Sequence, residues 1–208
     1  MNRIKCTYLA LLAVLLSPMG ANAGLLAIDS EGGSVGDTLG GFTRGNFFSL
    51  SQAFMVDGLG YFDIGGDGFG EAHDVGIFTA GGTLLFSTSV SSASTLVSSA
   101  STLGDWRVEL VSAILLAAGD YVIAGFDPTG IDDVPRGDIY TDIAQVTRGA
   151  GFRFISGGGL AFPTTFSSIQ VSAVTFTGMV ADVPEPGTLA LLGLGLAGMG
   201  LARRRKKI

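Results

Sequence analysis

The chain is poor in the residue types on which most site chemistry is built. It contains one cysteine, Cys6, one histidine, His73, and one tryptophan, Trp106. Cys6 lies near the N-terminus, ahead of an apolar run, so everything after that run is free of thiols. This excludes disulfides and Cys-ligated metals, and leaves stability to a hydrophobic core, which about 160 residues can supply. A lone histidine cannot complete a His-rich zinc site. A Ser-His-Asp nucleophile would have to be assembled from one of many loop serines around the single His73. Paired carboxylates could hydrolyse a glycoside, but the sequence carries no information on their spacing across a fold. An enzyme is therefore not expected.

Lysine is equally scarce. Between Gly24 and Asp182 there is none, and 17 Asp and Glu residues face five arginines (Arg44, Arg107, Arg136, Arg148, Arg153), a balance of −12. Phosphate backbones and anionic lipid surfaces repel such a body, so no nucleic acid partner is expected, and cations are its natural counter-charge.

All three lysines lie in the end segments. Residues 1–23 read as a secretory signal: Arg3 and Lys5 precede the apolar run Tyr8 to Leu16, and Ala21-Asn22-Ala23 offers signal peptidase a small-x-small site before Gly24. The run is too short to span roughly 30 Å of hydrocarbon, which argues against an uncleaved anchor. Cys6 precedes the run, so it is not the lipid-bearing residue of a lipoprotein.

Composition changes again after Asp182. Val183-Pro184-Glu185-Pro186 is followed by 187–202 without a charge and then by Arg203, Arg204, Arg205, Lys206 and Lys207. The two prolines keep the segment extended, as a protease or transpeptidase cleft takes its substrate. At 1.5 Å per residue the apolar stretch makes a helix of about 24 Å, apolar all round, that reads as a transmembrane segment. The basic residues stop transfer and stay in the cytoplasm. In its VPEP box, its Gly/Leu-rich span LALLGLGLAGMGLARRR and its basic end, the tail over 183–208 resembles the PEP-CTERM sorting signal, also catalogued as the ice-binding protein C-terminal domain. The resemblance implies recognition and cleavage by an exosortase. The precursor would be held transiently in the inner membrane, and the product would pass to the cell envelope or extracellular matrix. It gives no warrant for ice binding.

Between the ends, residues 24–182 are rich in Gly, Ser and Thr, with short apolar or alternating runs broken by turn signals and no sustained 3.6-residue period. The pattern predicts an all-β fold, a single β-sandwich or jelly roll. Strands are expected over 46–56, 59–64, 74–79, 83–90, 106–111, 120–126, 151–155 and 167–180. Gly81-Gly82 is a two-residue hairpin signal, and Ala118-Gly119-Asp120 marks a turn into a strand. SSASTLV at 91–97 is repeated as SSASTLG at 98–104, and its Ser/Thr content predicts an exposed duplicated loop or long hairpin, open to O-glycosylation or simply tolerant of slippage. The run LGYFDIGGDGFGEAHDVGIFTAGGTLLFSTSV (59–90) with LLAAGDYVIAGF (115–126) resembles a jelly-roll module found upstream of such tails. That group has no agreed activity, so the resemblance bears on fold alone.

One acidic cluster stands out: Asp63, Asp67, Glu71 and Asp74, punctuated by Gly65, Gly66, Gly68 and Gly70. Asp63, Asp67, Gly68 and Asp74 fall at positions 1, 5, 6 and 12 of an EF-type loop, but position 3 is Gly65 and the flanks read as strands, so this is not an EF-hand. Two readings stand: candidate calcium ligands, or a solvated Gly/Asp connection that turns the chain. No other cofactor is expected. His73, beside Asp74, reads as a structural residue that orders this loop. Trp106 reads as the packed start of an alternating strand, and Gly157-Gly158-Gly159 as a turn. The functional expectation is an exported, non-enzymatic structural component, associated with extracellular polysaccharide. The alternative is a calcium-dependent carbohydrate-binding module.

Overall fold

The computed structural model describes residues 25–36, 40–136, 140–168, 171 and 173–181. The signal segment 1–23, the VPEP box, the 187–202 segment and the basic end lie outside the described residues. Among those described, no helix is long and apolar enough to cross a membrane.

The chain opens with three short strands, β1 (Leu25–Leu26), β2 (Ile28–Ser30) and β3 (Ser34–Val35), followed by the long β4 (Phe42–Leu50) and β5 (Phe54–Ile64). Next come β6 (His73–Thr79), β7 (Leu84–Val90), β8 (Thr95–Val97), β9 (Gly104–Leu116) and β10 (Gly119–Asp127). The remainder comprises β11 (Pro135–Arg136), β12 (Tyr140–Asp142), β13 (Val146–Arg148), β14 (Phe152–Ser156), β15 (Thr165–Ser167) and β16 (Val174–Val180). The fold is an all-β sandwich of antiparallel sheets. One sheet runs β1-β16-β5-β9-β8, the other β15-β14-β4-β10-β6-β7 with β13 also on β4, and β11-β3 and β12-β2 form two small separate pairs.

Alternation decides what lies between the sheets. Phe48 on β4 packs against Phe176 on β16 at 4.9 Å between ring centroids, and Phe176 meets Phe54 edge-on, so the core is aromatic from both sides. β10 is apolar on both faces because both are covered. Ile123 enters the main core, whereas Val122 and Ala124 join Phe78 in a second, outer cluster with Phe47, Leu160 and Phe162. The segment 157–164 forms this outer cover, fastened by Thr43, whose hydroxyl donates to Gly159 O and accepts from Ala161 N–H.

The expected strand over 46–56 is two strands in different sheets. Ser51 and Gln52 turn the chain between β4 and β5, a change of direction with no Gly or Pro to announce it. Conversely Asp57-Gly58, which looks like a break, is a bulge inside the continuous β5, where the register against β9 and β16 shifts. Of the expected strand 167–180, residues 174–180 form β16, while Ser167 is the last residue of β15. Both turns fall where expected, although the β6–β7 connection spans 80–83 and is not a two-residue loop: Gly82 (φ 94°) lies in it, and Gly119 opens β10.

The duplicated serine segment is not a free loop. Its first copy supplies β8, which pairs with β9, and buries Ser94, whose hydroxyl donates to Glu109. In the second copy Ser99 donates to Asp29 Oδ1 and the Ala100 N–H to Asp29 Oδ2. The equivalent serines Ser92 and Ser99 thus reach different partners, Phe69 O and Asp29.

Candidate functional site

β5 ends at Ile64 and the chain reverses through Gly65 and Gly66, both in the left-handed region (φ 82° and 68°) that glycine enters at least cost. The Gly66 N–H donates to Asp63 O. This turn brings Gly68 back over Asp63, which is 1% exposed. Asp63 Oδ2 accepts from Gly68 N–H at 2.9 Å and from Arg107 Nε–H at 2.7 Å, while its Oδ1 is buried without a hydrogen-bond partner among the described residues. Arg107 also donates to Ser92 O, tying the glycine loop to the first serine repeat.

The second half of the site comes from the segment after β10. Asp127 turns it by accepting from Gly130 N–H at 2.8 Å and holds Arg44 Nη1 at 3.3 Å. Asp132 then reaches back: Oδ1 accepts from Gly70 N–H, and Oδ2 accepts from Glu71 N–H and lies 2.9 Å from His73 Nε2. Glu71 returns the contact by accepting from Thr129 N–H. Two loops some sixty residues apart in sequence are therefore clasped through reciprocal carboxylate to backbone bonds.

His73 anchors the clasp. It is fully buried, stacked on Tyr61 and edge-on to Phe69, with Nδ1 3.3 Å from Phe126 O. Both ring nitrogens face acceptors, so both bonds form together only when both N–H protons are present. Burial raises the Tyr61 phenol far above its usual range, and the neighbouring Asp127 charge adds to this. Burial also raises Asp127, against the opposing effects of the Gly130 N–H and Arg44.

A cavity of about 280 Å³ opens beside the clasp, lined by Asp63, Asp67, Phe69, Ile131, Asp132 and Asp133 among others. The four carboxylates singled out in the sequence divide here. Asp63 and Asp67 line the cavity. Glu71 is engaged with Thr129, and Asp74 is exposed on β6, opposite Ser89 and Phe126 in register. Strand alternation turns Asp74 outward when His73 turns inward. Among the described residues no group of three or more His, Cys, Asp or Glu side chains is placed to hold a metal ion. Sequence reasoning missed Asp127, Asp132, Asp133 and Arg107. The turn signature Asp127-Pro128-Thr129-Gly130 marks the loop of the three aspartates, but nothing local says that it docks on residues 65–73, and Arg107 lies on β9. Trp106 is packed as expected, fully buried and edge-on to Phe62.

Beyond the sandwich, residues 182–206 match the model of the PEP-CTERM protein-sorting motif. The match takes in Val183 to Pro186 and the basic end through Lys206. No curated protein matches the chain. The chain carries a PEP-CTERM sorting motif, and is thereby an exported protein that an exosortase recognises and that is processed at the membrane on its way to the cell envelope or extracellular space.

Proposed function

We propose that the β-sandwich delivered by this motif is a non-enzymatic structural component of the extracellular polysaccharide matrix. The observation that carries the reading is the pairing of the sorting motif with a site in which Glu71, His73 and Asp132 are spent on closing two loops. Asp63 serves Arg107 and Gly68, Asp132 serves Gly70, Glu71 and His73, and Glu71 serves Thr129. Carboxylates and a histidine committed to closing two loops are suited to stiffening a surface module, whereas general acid or base work needs a group free to exchange a proton with substrate. The absence of thiols from residues 24–182 suits a protein that works exposed, without redox chemistry.

The test is fractionation of cells expressing the full-length chain and a variant with Pro184→Ala and Glu185→Ala. The wild type is expected in the matrix fraction, released when the polysaccharide is digested, and the variant to stay with the membrane. Wild-type protein found free in the medium with the polysaccharide intact overturns the matrix reading. Retention in the matrix that is lost on chelation favours a calcium-dependent carbohydrate-binding module instead.

A further inference from the structure

On the outer face of the seven-stranded sheet, away from the clasped loops, a groove of about 170 Å³ is lined by Phe47, Gly149, Gly151, Phe152, Arg153 and Phe166 together with Ala150. Phe47 projects outward from β4. Arg153, opposite Gly45 in the neighbouring β14, lays its guanidinium over the Phe47 ring at 4.6 Å and within 6.0 Å of Phe166. Its Nη1 donates to Thr164 O at 3.0 Å, which fixes the group and leaves further N–H donors for a ligand. Phe166 is 55% exposed, a large apolar ring facing solvent beside a cation. Gly151 permits the arrangement: at φ 69° it carries no side chain, and a Cβ there would stand 2.2 Å from Ser167 O and 2.8 Å from the Phe166 ring.

The charge of this groove sets it apart. Arg44, Arg107 and Arg148 each sit against an aspartate. Arg153 forms no ion pair among the described residues, and no carboxylate lines the groove. A flat aromatic face next to a guanidinium that no carboxylate pairs matches a pyranose ring bearing a carboxylate: the ring's C–H face stacks on Phe166 and the carboxylate takes the remaining guanidinium N–H groups. The volume is well below the ~300–1,000 Å³ of a pocket that encloses a small molecule, so the groove takes one residue of a longer chain lying across the surface. The −12 balance of the body does not forbid this. Arg153 is the one charged residue that lines the groove, and charges more than ~8 Å away are largely screened at physiological ionic strength.

We propose that the groove formed by Phe47, Arg153 and Phe166 binds a uronate residue of an acidic polysaccharide. This rests on the matrix reading and names the sugar class through which the sandwich would engage the matrix. The test is calorimetric titration of the full-length chain with a hexameric oligogalacturonate, in a chelator so that no calcium bridges protein and sugar, with maltohexaose as the neutral control. Saturable binding is expected for the uronate and at least tenfold weaker binding for the neutral chain. Arg153→Gln and Phe166→Ala should each lower uronate affinity at least tenfold, while Arg153→Lys keeps part of it. Phe166 is exposed, so Phe166→Ala should leave the melting temperature unchanged and its effect cannot be ascribed to unfolding. Equal binding of both oligosaccharides, binding unaltered in either variant, or no binding overturns the proposal. If the variants also fail to bind yet still partition into the matrix, this site is not what holds the protein there and the matrix reading stands without it.

Discussion

His73 lies flat against Tyr61, with ring centroids 4.0 Å apart and planes inclined by 2°, and this stack joins the two sheets, since Tyr61 belongs to β5 and His73 opens β6. From that fixed position the imidazole reaches Asp132 and Phe126 O. A double-mutant cycle separates the stack from the bond. His73→Phe keeps a ring on Tyr61 and removes both ring nitrogens, and Asp132→Asn removes the carboxylate charge beside Nε2. Each is expected to cost about 1.5–3 kcal/mol in urea denaturation, as hydrogen bonds to charged groups do. If the two act through one bond, the cycle returns a coupling of roughly 0.5–3 kcal/mol. Strict additivity would show that Asp132 holds the loop without His73.

Tyr61 gives the site a signature at high pH. Burial holds its phenol well above the range in which an unfolded tyrosine ionises, about 10. Above that pH the unfolded chain releases a proton that the folded chain keeps. Stability contributed by Tyr61 is therefore complete below about pH 10 and falls by roughly 1.4 kcal/mol per pH unit above it. Tyr61→Phe should abolish that share of the slope, so denaturation free energies followed from about pH 9 to about pH 11.5 should fall more gently in the variant. Parallel slopes would mean that the phenol titrates in the folded protein.

The Arg44–Asp127 pair behaves differently, because burial raises Asp127 even with the guanidinium beside it. A raised carboxyl favours the folded state most below the ordinary carboxylate range, about pH 4, and that advantage is lost as pH rises through the folded value. Arg44→Met removes the opposing cation and leaves an uncompensated charge, a change that costs about 3–5 kcal/mol for buried pairs. The cost should be greatest near about pH 7 and smaller by roughly 1 kcal/mol or more at about pH 4, where Asp127 can be neutral. A penalty independent of pH would point to lost packing against Phe42, over which Arg44 also lies at 5.5 Å.

These predictions mark what could and could not be read along the chain. Strands flanked by glycine turns, such as β6 and β7 around Gly81-Gly82, were legible because the turn demands a residue that tolerates positive φ. The reversal at Ser51-Gln52 was not, since serine and glutamine are as compatible with a strand as with a turn. Asp63 and His73 were visible as unusual residues. Their partners Arg107, Phe126 and Asp132 were not, because pairing across 44 to 59 positions is a product of sheet order. The division of the four carboxylates was illegible for a related reason: spacing along one local loop does not show that a second loop supplies Asp132 or that the strand turns Asp74 away.

The clearest case of long-range dependence is Asp29, which holds both the second serine repeat and the tryptophan. Its Oδ1 accepts from Trp106 Nε1–H at 2.8 Å, from the Ser99 hydroxyl at 2.6 Å and from Ser30 N–H at 2.8 Å, while Oδ2 accepts from Ala100 N–H. Trp106 is fully buried, so Asp29→Ala strands an indole N–H in the core, at a cost of about 1–3 kcal/mol. Asp29→Asn should be no rescue, because the amide presents one acceptor and one donor to four donors. Ser99→Ala removes one bond of the set and should cost about 0.5–1.5 kcal/mol. The single tryptophan reports the result directly: acrylamide quenching should rise in both Asp29 variants, as the strap of residues 98–103 loosens over the indole, and stay near wild type in Ser99→Ala. Quenching that rises equally in all three would place the strength of the strap in Ser99 rather than in Asp29.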